Sequence, residues 1–220
     1  MEDLAGRLAE VKSRIARAAE KAGRDPAGIT MVAVTKVFPS SAIRDAYALG
    51  VREFGENYVQ EFEDKFPDVC DLIDARFHLI GHLQSNKAKR AAEIFQCIQT
   101  VDSAKLAGRL DAIGGKLDVM IEVKLSPEQA KAGAEPNGLP LLMDAVRDST
   151  NLRLLGLMTM PPWSDNAEDS RPYFRRLREL AKLYELPDLS MGMSHDLEVA
   201  IEEGATYVRV GTALFGKRKK

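Results

Sequence analysis

Length, composition and charge exclude several classes of protein at the outset. The 220 residues are 45% hydrophobic and 29% charged, with a formal net charge of −2, so a sizeable core is expected and neither nucleic acid nor a membrane is indicated as a partner. No apolar stretch is long enough to span a membrane. Without a signal peptide or a C-x-x-C spacing, the sequence predicts a cytoplasmic protein in which both cysteines, Cys70 and Cys97, are small core or near-core residues.

The first predicted elements surround a lysine. Apolar residues recur at helical spacing from residue 2 to about residue 23, which predicts an amphipathic N-terminal helix. The apolar, β-branched run at 29–35 predicts a strand buried on both faces, and Lys36 follows it directly. A second helix is predicted to start at 39–41 and to end before Gly50.

Short apolar runs and helical stretches alternate along the rest of the chain. Further strands are predicted at 52–55, 76–80, 97–101, 118–124, 153–158, 189–191 and 207–210. Between them, one helical stretch is predicted to begin at 56–60, and others are predicted at 87–94, 103–113, 139–149, 171–184 and 195–203. This α/β alternation favours a single-domain (β/α)8 TIM-type barrel over residues 1–220, with an extra N-terminal helix, rather than an open doubly wound sheet. The nucleotide-binding motifs G-x-G-x-x-G and G-x-x-x-x-G-K-[ST] do not occur.

Lys36 at the end of the first strand is the first candidate for chemistry. An unpaired ammonium group is costly to bury, so this side chain reaches water, pairs with an acid, or loses its proton and becomes an amine nucleophile. The last alternative allows Schiff-base chemistry, whereas the commonest is a lysine that marks where a strand meets solvent. The residues at the other strand ends distinguish between these alternatives for Lys36.

The ends of the last two predicted strands indicate an anion site. In a parallel barrel the residues that follow the strands face one common mouth. Residues 193–196 form a hydroxyl-bearing turn into a predicted helix, and Gly211 and Thr212 follow strand eight. Such turns offer free backbone N–H groups to an anion, and a phosphate is often held after strands seven and eight of this barrel. Together with Lys36 and Arg209, they point to a phosphorylated aldehyde bound as an imine, with pyridoxal 5′-phosphate as the candidate cofactor.

Arg209 on strand eight has a chemical interpretation in that setting. Beside a pyridine nitrogen, a guanidinium can donate a hydrogen bond but hardly yields a proton, so the ring remains a poor electron sink. Carbanion chemistry would then be suppressed. The alternative is a surface or salt-bridged arginine at the end of a strand.

Motifs spread over nearly the whole chain resemble one family. They lie at 32–36, 54–61, 77–87, 156–158, 190–196 and 208–216. In this order they closely resemble the pyridoxal-phosphate homeostasis protein family, the stand-alone relative of the alanine racemase N-terminal barrel. The resemblance implies a cytoplasmic monomer that carries or buffers the cofactor without an established reaction. Its candidate partners are pyridoxal 5′-phosphate, apo-enzymes that use it, and free amino acids.

The resemblance also implies roles for individual residues. Lys36 would be linked to the cofactor, and Arg209 would face the pyridine nitrogen. The implied phosphate contacts are Ser194, Gly211 and Thr212, and the implied pocket-lining residues are Asn57, Met158 and Ser190.

Two departures from alanine racemases weaken a catalytic interpretation. Those enzymes have a tyrosine shortly after the lysine, where this chain has Ser40, and they need a second domain and a partner subunit that supplies a tyrosine base. This chain ends at Lys220, with no room for that domain, so one of the two bases of racemisation is expected to be missing. A weak racemase that uses Lys36 alone remains an alternative, as does an interaction protein with a regulatory cofactor site. Lys124 receives no role.

Other polar and aromatic residues are given simpler roles. His78 and His82 flank a strand, roughly thirteen Å apart, so a shared metal is not predicted unless the chain turns between them. Trp163, in the loop at 161–170, is either a lid or partner contact or a ring packed on the barrel rim. Three acids are expected to form ion pairs near the barrel end, namely Glu53, Glu56 and Glu122. Four methionines are expected to fill the core, namely Met158, Met160, Met191 and Met193.

Overall fold

Eight parallel strands close into a barrel in chain order. The computed structural model describes residues 2–126 and 132–216. Each strand is hydrogen-bonded to the next, and the last pairs with the first, with Val32 opposite Arg209. The strands are β1 (Thr30–Val34), β2 (Glu53–Glu56), β3 (Arg76–Leu79), β4 (Cys97–Val101), β5 (Leu117–Glu122), β6 (Leu152–Met158), β7 (Asp188–Met193) and β8 (Tyr207–Val210). The predicted (β/α)8 barrel is confirmed.

Helices surround the strands, as the periodicity predicts. They are α1 (Glu2–Lys21), α2 (Ser40–Ala48), α3 (Val59–Lys65), α4 (Ala88–Ile94), α5 (Ala104–Asp111), α6 (Leu139–Arg147), α7 (Arg171–Leu183), α8 (Leu197–Glu202) and α9 (Thr212–Phe215). The extra helix α1 packs against α8 and α9, and Arg14 donates to both carboxylate oxygens of Glu198, at 2.6 and 2.8 Å. Helix α1 therefore covers the barrel beside α8 and α9, the two helices that follow β7 and β8.

The seventh strand is longer than predicted. It runs from Asp188 to Met193, because its small residues continue the pairing with β8 across a register shift. Gly192 within it has φ +89°, and a Cβ there would lie 2.4 Å from the Cβ of Ala200. Only glycine lets the chain turn this closely onto α8, which brings residues 193–196 to the mouth of the barrel.

Hydrophobic side chains fill the layer between strands and helices. Phe62 on α3 is fully buried, with its ring centroid 4.7 Å from that of Phe77 and 4.8 Å from that of Phe95. Such aromatic packing fixes α3 against the outside of the barrel. Helices long and apolar enough to cross a membrane do not occur within residues 2–126 and 132–216.

The two cysteines differ in burial. Cys97 on β4 is buried, as predicted, whereas Cys70 is exposed, so the prediction of a core or near-core position for Cys70 is wrong. Cys70 follows a short 3-10 helix, Phe66–Asp68, and the neighbouring Val69 and Leu72 occupy the buried positions there.

Candidate functional site

A cavity of about 310 Å³ opens at the carboxyl ends of the strands. Most of the predicted cofactor residues line it together, namely Lys36, Asn57, Ser194, Arg209, Gly211 and Thr212. The other two, Met158 and Ser190, are fully buried and are not among its lining residues. The strand-one lysine and the turns after β7 and β8 therefore face the same space.

Ser194 joins the two turns that form the proposed anion site. Its Oγ accepts hydrogen bonds from the backbone N–H groups of Gly211 and Ala213, both at 3.2 Å. The turn is held on its other side by Asp196, which accepts a hydrogen bond from the backbone of Met193 at 2.7 Å. Backbone N–H groups and hydroxyl groups thus converge on one edge of the cavity, an arrangement that suits an anion.

A buried ion-pair network lies under the end of β1. Lys65 on α3 donates to the backbone carbonyl of Thr35 at 3.0 Å, to Glu56 at 2.9 Å and to Glu61 at 2.6 Å. Glu56 is fully buried, and burial raises the pKa of its carboxyl group even though Lys65 opposes the shift. The ion pair expected for Glu56 is therefore present, and it fixes the residue immediately before Lys36.

The residue immediately after Lys36 has an unusual backbone conformation. Val37 has φ +63°, in the left-handed region that β-branched residues rarely adopt. Its backbone N–H donates to Glu61, the acid that also pairs with Lys65. Strain of this kind persists when surrounding contacts over-determine it and is concentrated at functional sites. The lysine is thus held between two fixed neighbours.

Arg209 is buried on the floor of the cavity, which differs from the surface position considered as its alternative. Its guanidinium donates to Ser190 Oγ at 2.6 Å and to the carbonyl of Thr159 at 2.9 Å. Burial lowers the pKa of Arg209 to about 10, so the group stays cationic at neutral pH. Ser190 therefore supports the arginine.

A chain of hydrogen bonds continues from Arg209 through the barrel interior. Ser190 donates to Gln99 Oε1 at 2.6 Å, and the Gln99 amide nitrogen lies 2.9 Å from His78 Nδ1. His78 Nε2 in turn contacts Glu53. Within residues 2–126 and 132–216 there is no group of three or more His, Cys, Asp or Glu side chains that could hold a metal ion.

Among the residues that the structure describes, Glu122 at the end of β5 has no ion pair, contrary to expectation. It is 3% exposed, and its Oε2 has no hydrogen-bond partner among the described residues. Burial raises its pKa to about 7, although the charge of Arg209 opposes the shift. The side chain lines a second cavity, which shares Met160, Trp163 and Met193 with the first.

Replacing Glu122 with glutamine should change the pH dependence of stability. The pKa in the folded state, about 7, lies above the ordinary value of 4.5, so the folded protein binds this proton more strongly than the unfolded chain. The wild type therefore loses stability relative to Glu122→Gln as pH rises from 4.5 to 7, by up to about 3 kcal/mol. Urea unfolding at pH 5 and pH 8 measures the difference. Glu20→Gln, which changes an exposed acid on α1, serves as control, and an equal Glu122→Gln effect at both pH values would contradict the expectation.

The loop after β6 carries Trp163 to the mouth of both cavities. The ring is 69% exposed, and its centroid lies 5.0 Å from that of His195. This is the rim position considered from the sequence, with one face of the ring left accessible. Of the four methionines expected in the core, Met158 and Met191 are fully buried, whereas Met160 and Met193 line the cavity.

Comparison with known proteins agrees with this geometry. The family model of the alanine racemase N-terminal domain matches residues 7–219. A pyridoxal phosphate homeostasis protein of Pseudomonas aeruginosa is 46% identical, over 99% of this chain and 97% of its own length. One from Aquifex aeolicus is 45% identical, over 97% of each chain. The structure of PipY from Synechococcus elongatus, solved with PLP bound, has a TM-score of 0.85 at 40% identity, over 97% of this chain and 100% of PipY.

Fold and site together define the class of the protein as an alanine racemase-type barrel. Where the sequence identity to a solved structure is low, the likeness shows the fold alone. An alanine racemase of Clostridium difficile has a TM-score of 0.72 at 12% identity, over all of this chain and 58% of its own. The much higher identity to the homeostasis proteins is decisive. The chain belongs to the pyridoxal phosphate homeostasis protein family.

Proposed function

We propose that this protein binds pyridoxal 5′-phosphate as a Schiff base on Lys36 and acts in vitamin B6 homeostasis as a carrier or buffer of the cofactor. The observation that carries the proposal is the single cavity lined by Lys36, by Arg209 and by the joined turns at Ser194 and Gly211. The names of the relatives and the PLP bound to PipY support the choice of ligand.

The residues present suit three polar parts of this cofactor, namely its phosphate, its pyridine nitrogen and its aldehyde. The hydroxyl groups of Ser194 and Thr212 would donate to the phosphate, with Ser194 held in place by the backbone N–H groups of Gly211 and Ala213. Arg209 would donate to the pyridine nitrogen, and Lys36 would supply the amine. When bound, the cofactor provides an aldehyde that condenses reversibly with primary amines. Asn57 lines the same cavity and is proposed as a further contact, while Met158 and Ser190 would act from beneath it.

Arg209 argues for holding the cofactor rather than for using it in catalysis. Its pKa of about 10 keeps it charged, and it already donates to Ser190 and Thr159. A permanent donor of this kind does not transfer a proton to the ring nitrogen. The site would therefore bind and orient the cofactor while leaving its ring a weak acceptor of electrons.

A weak amino-acid racemase is the second candidate, and Glu122 is the observation that favours it. A carboxyl group with a pKa of about 7 has the value expected of a general acid or base at neutral pH. This group lines the neighbouring cavity rather than the one that contains Lys36. Chiral analysis of alanine after incubation with the loaded protein separates the candidates, and turnover that disappears in Lys36→Ala would favour the enzyme.

Borohydride reduction followed by peptide mass spectrometry tests the proposal directly. Loading the protein with pyridoxal 5′-phosphate should give the absorbance of an imine, and reduction should attach the cofactor to the peptide that contains Lys36. Transfer of the cofactor to an apo-enzyme, measured as recovered activity of that enzyme, tests the carrier role. Attachment at another lysine alone would overturn the assigned site.

Ser194→Ala should weaken retention of the cofactor without preventing its attachment. Removing the hydroxyl group deletes a contact to the proposed phosphate and unties two backbone N–H groups, which costs about 1–3 kcal/mol in binding. Equilibrium dialysis measures the loss. The matched control is Ser103→Ala, because Ser103 caps α5 by accepting from Leu106 and does not line the cavity. Equal retention by the two variants would place the phosphate elsewhere.

A further inference from the structure

A second cavity lies beside the one that contains Lys36. Its volume is about 520 Å³, and it shares the side chains of Met160, Trp163 and Met193 with its neighbour. The residues proposed to hold pyridoxal 5′-phosphate do not line it. It therefore adjoins the first cavity at the same end of the barrel.

The buried carboxyl group of Glu122 lines this second cavity. The residue is 3% exposed, and within the described part of the chain its Oε2 has no hydrogen-bond partner. Folded proteins nearly always pair buried carboxylates, because an ionised group removed from water without a partner is strongly destabilising. The missing partner therefore points to a ligand that donates hydrogen bonds and carries a positive charge.

The basic side chains around the cavity are engaged elsewhere. Lys124 pairs with Glu135 at 3.1 Å, and His82 lies 3.6 Å from Asp102. Arg209 donates to Ser190 and to the backbone at Thr159. The described basic groups near Glu122 thus have other acceptors, which leaves its Oε2 for a small molecule.

The remaining wall defines the rest of the ligand. Apolar side chains predominate in the lining of the cavity, from Val123, Leu125, Met160, Pro161 and Trp163. A compact ammonium group attached to a short hydrocarbon portion matches this combination, since it places charge on the acid and apolar atoms on the wall. A metal ion would require further oxygen, nitrogen or sulfur ligands, which the described residues do not provide here.

We propose that the Glu122 cavity binds a primary ammonium ligand, either a simple amine or the α-ammonium group of a free amino acid. The inference depends only on the geometry of this cavity and is independent of the cofactor. If the neighbouring cavity holds an aldehyde, the shared wall places an amine-binding site next to it.

Calorimetric titration of full-length, cofactor-free Lys36→Ala tests the site without imine formation. At pH 8, 3-methylbutylamine should bind at least tenfold more tightly than 3-methylbutanol, which has the same hydrocarbon portion but no charge. Adding Glu122→Gln should reduce the affinity for the amine at least tenfold and leave that for the alcohol unchanged. Glu20→Gln is the matched control, because this acid is exposed on α1 and does not line the cavity.

Three outcomes decide the inference. Equal affinity for the amine and the alcohol, no binding of the amine, or an affinity unaffected by Glu122→Gln in a protein with unchanged circular dichroism would overturn it. Titration with L-leucine decides between the two kinds of ligand. If L-leucine binds more tightly than 3-methylbutylamine, the site is assigned to amino acids, and if it binds more weakly, the site is assigned to simple amines. Because the titrated protein contains no cofactor, a negative result would not bear on the proposed binding of pyridoxal 5′-phosphate. Likewise, a failure of the protein to bind pyridoxal 5′-phosphate would not bear on the binding of the amine.

Discussion

Lys36→Ala is expected to abolish covalent capture of pyridoxal 5′-phosphate while the barrel remains folded. The lysine lies at the end of β1, lines the cavity and is only half buried, so its removal takes little from the core. Non-covalent retention through the phosphate contacts should persist at reduced affinity. Absorbance of the imine and the mass of the borohydride-reduced protein measure the covalent adduct, and thermal unfolding measures the fold.

The matched control for Lys36→Ala is Lys124→Ala. Lys124 is the lysine that lines the neighbouring cavity, so it competes for the same aldehyde if position alone decides attachment. We expect full covalent attachment in this variant. A reducible adduct that survives in Lys36→Ala and is lost in Lys124→Ala would reverse the assignment.

Lys65→Met is expected to give the largest loss of stability of the substitutions considered, about 3–5 kcal/mol. It leaves the fully buried Glu56 and the half-buried Glu61 without their cation, and breaking a buried pair from one side costs more than removing both charges. Urea unfolding at pH 7 measures the effect. Because Lys65 also donates to the carbonyl of Thr35, covalent attachment at Lys36 should slow in the same variant.

Two comparisons identify the cause of this loss. The pair between the exposed Lys21 and Glu202 is the control. Because Glu202 keeps its second partner, Arg171, Lys21→Met should cost less than about 1 kcal/mol. Adding Glu56→Gln to Lys65→Met removes the stranded charge and should recover part of the stability. A loss as small as that of Lys21→Met, or no recovery in the double variant, would show that the buried network contributes little.

The sequence predicts the fold well because each strand of a closed parallel barrel is an apolar run of its own. The sequence predicts the end of a strand less accurately where the strand contains small residues, as in β7, which continues to Met193 through Gly192. Cys70 was misplaced for a local reason. An apolar residue type does not reveal which neighbours turn inwards in a short loop, and there Val69 and Leu72 do so.

The site could be predicted in part, because residues at strand ends share one mouth. Lys36 and the turns at Ser194 and Gly211 follow from that rule, and they line one cavity. That rule does not predict which side chains form hydrogen bonds across the interior of the barrel. Gln99 and Glu122 each stand in an apolar run, which could have marked them as interior polar groups. Only the folded chain shows that Gln99 is hydrogen-bonded, whereas Glu122 Oε2 has no partner in the described part of the chain.

The polar interior of the barrel reaches the cavity through a row of hydrogen bonds. Arg209 donates to Ser190, Ser190 donates to Gln99, and the Gln99 amide nitrogen lies 2.9 Å from His78 Nδ1. Ser190, Gln99 and His78 are fully buried and do not line the cavity. The direction in which the guanidinium points is therefore fixed by side chains beneath the cavity, so a substitution at one of them would alter the cavity floor from a distance.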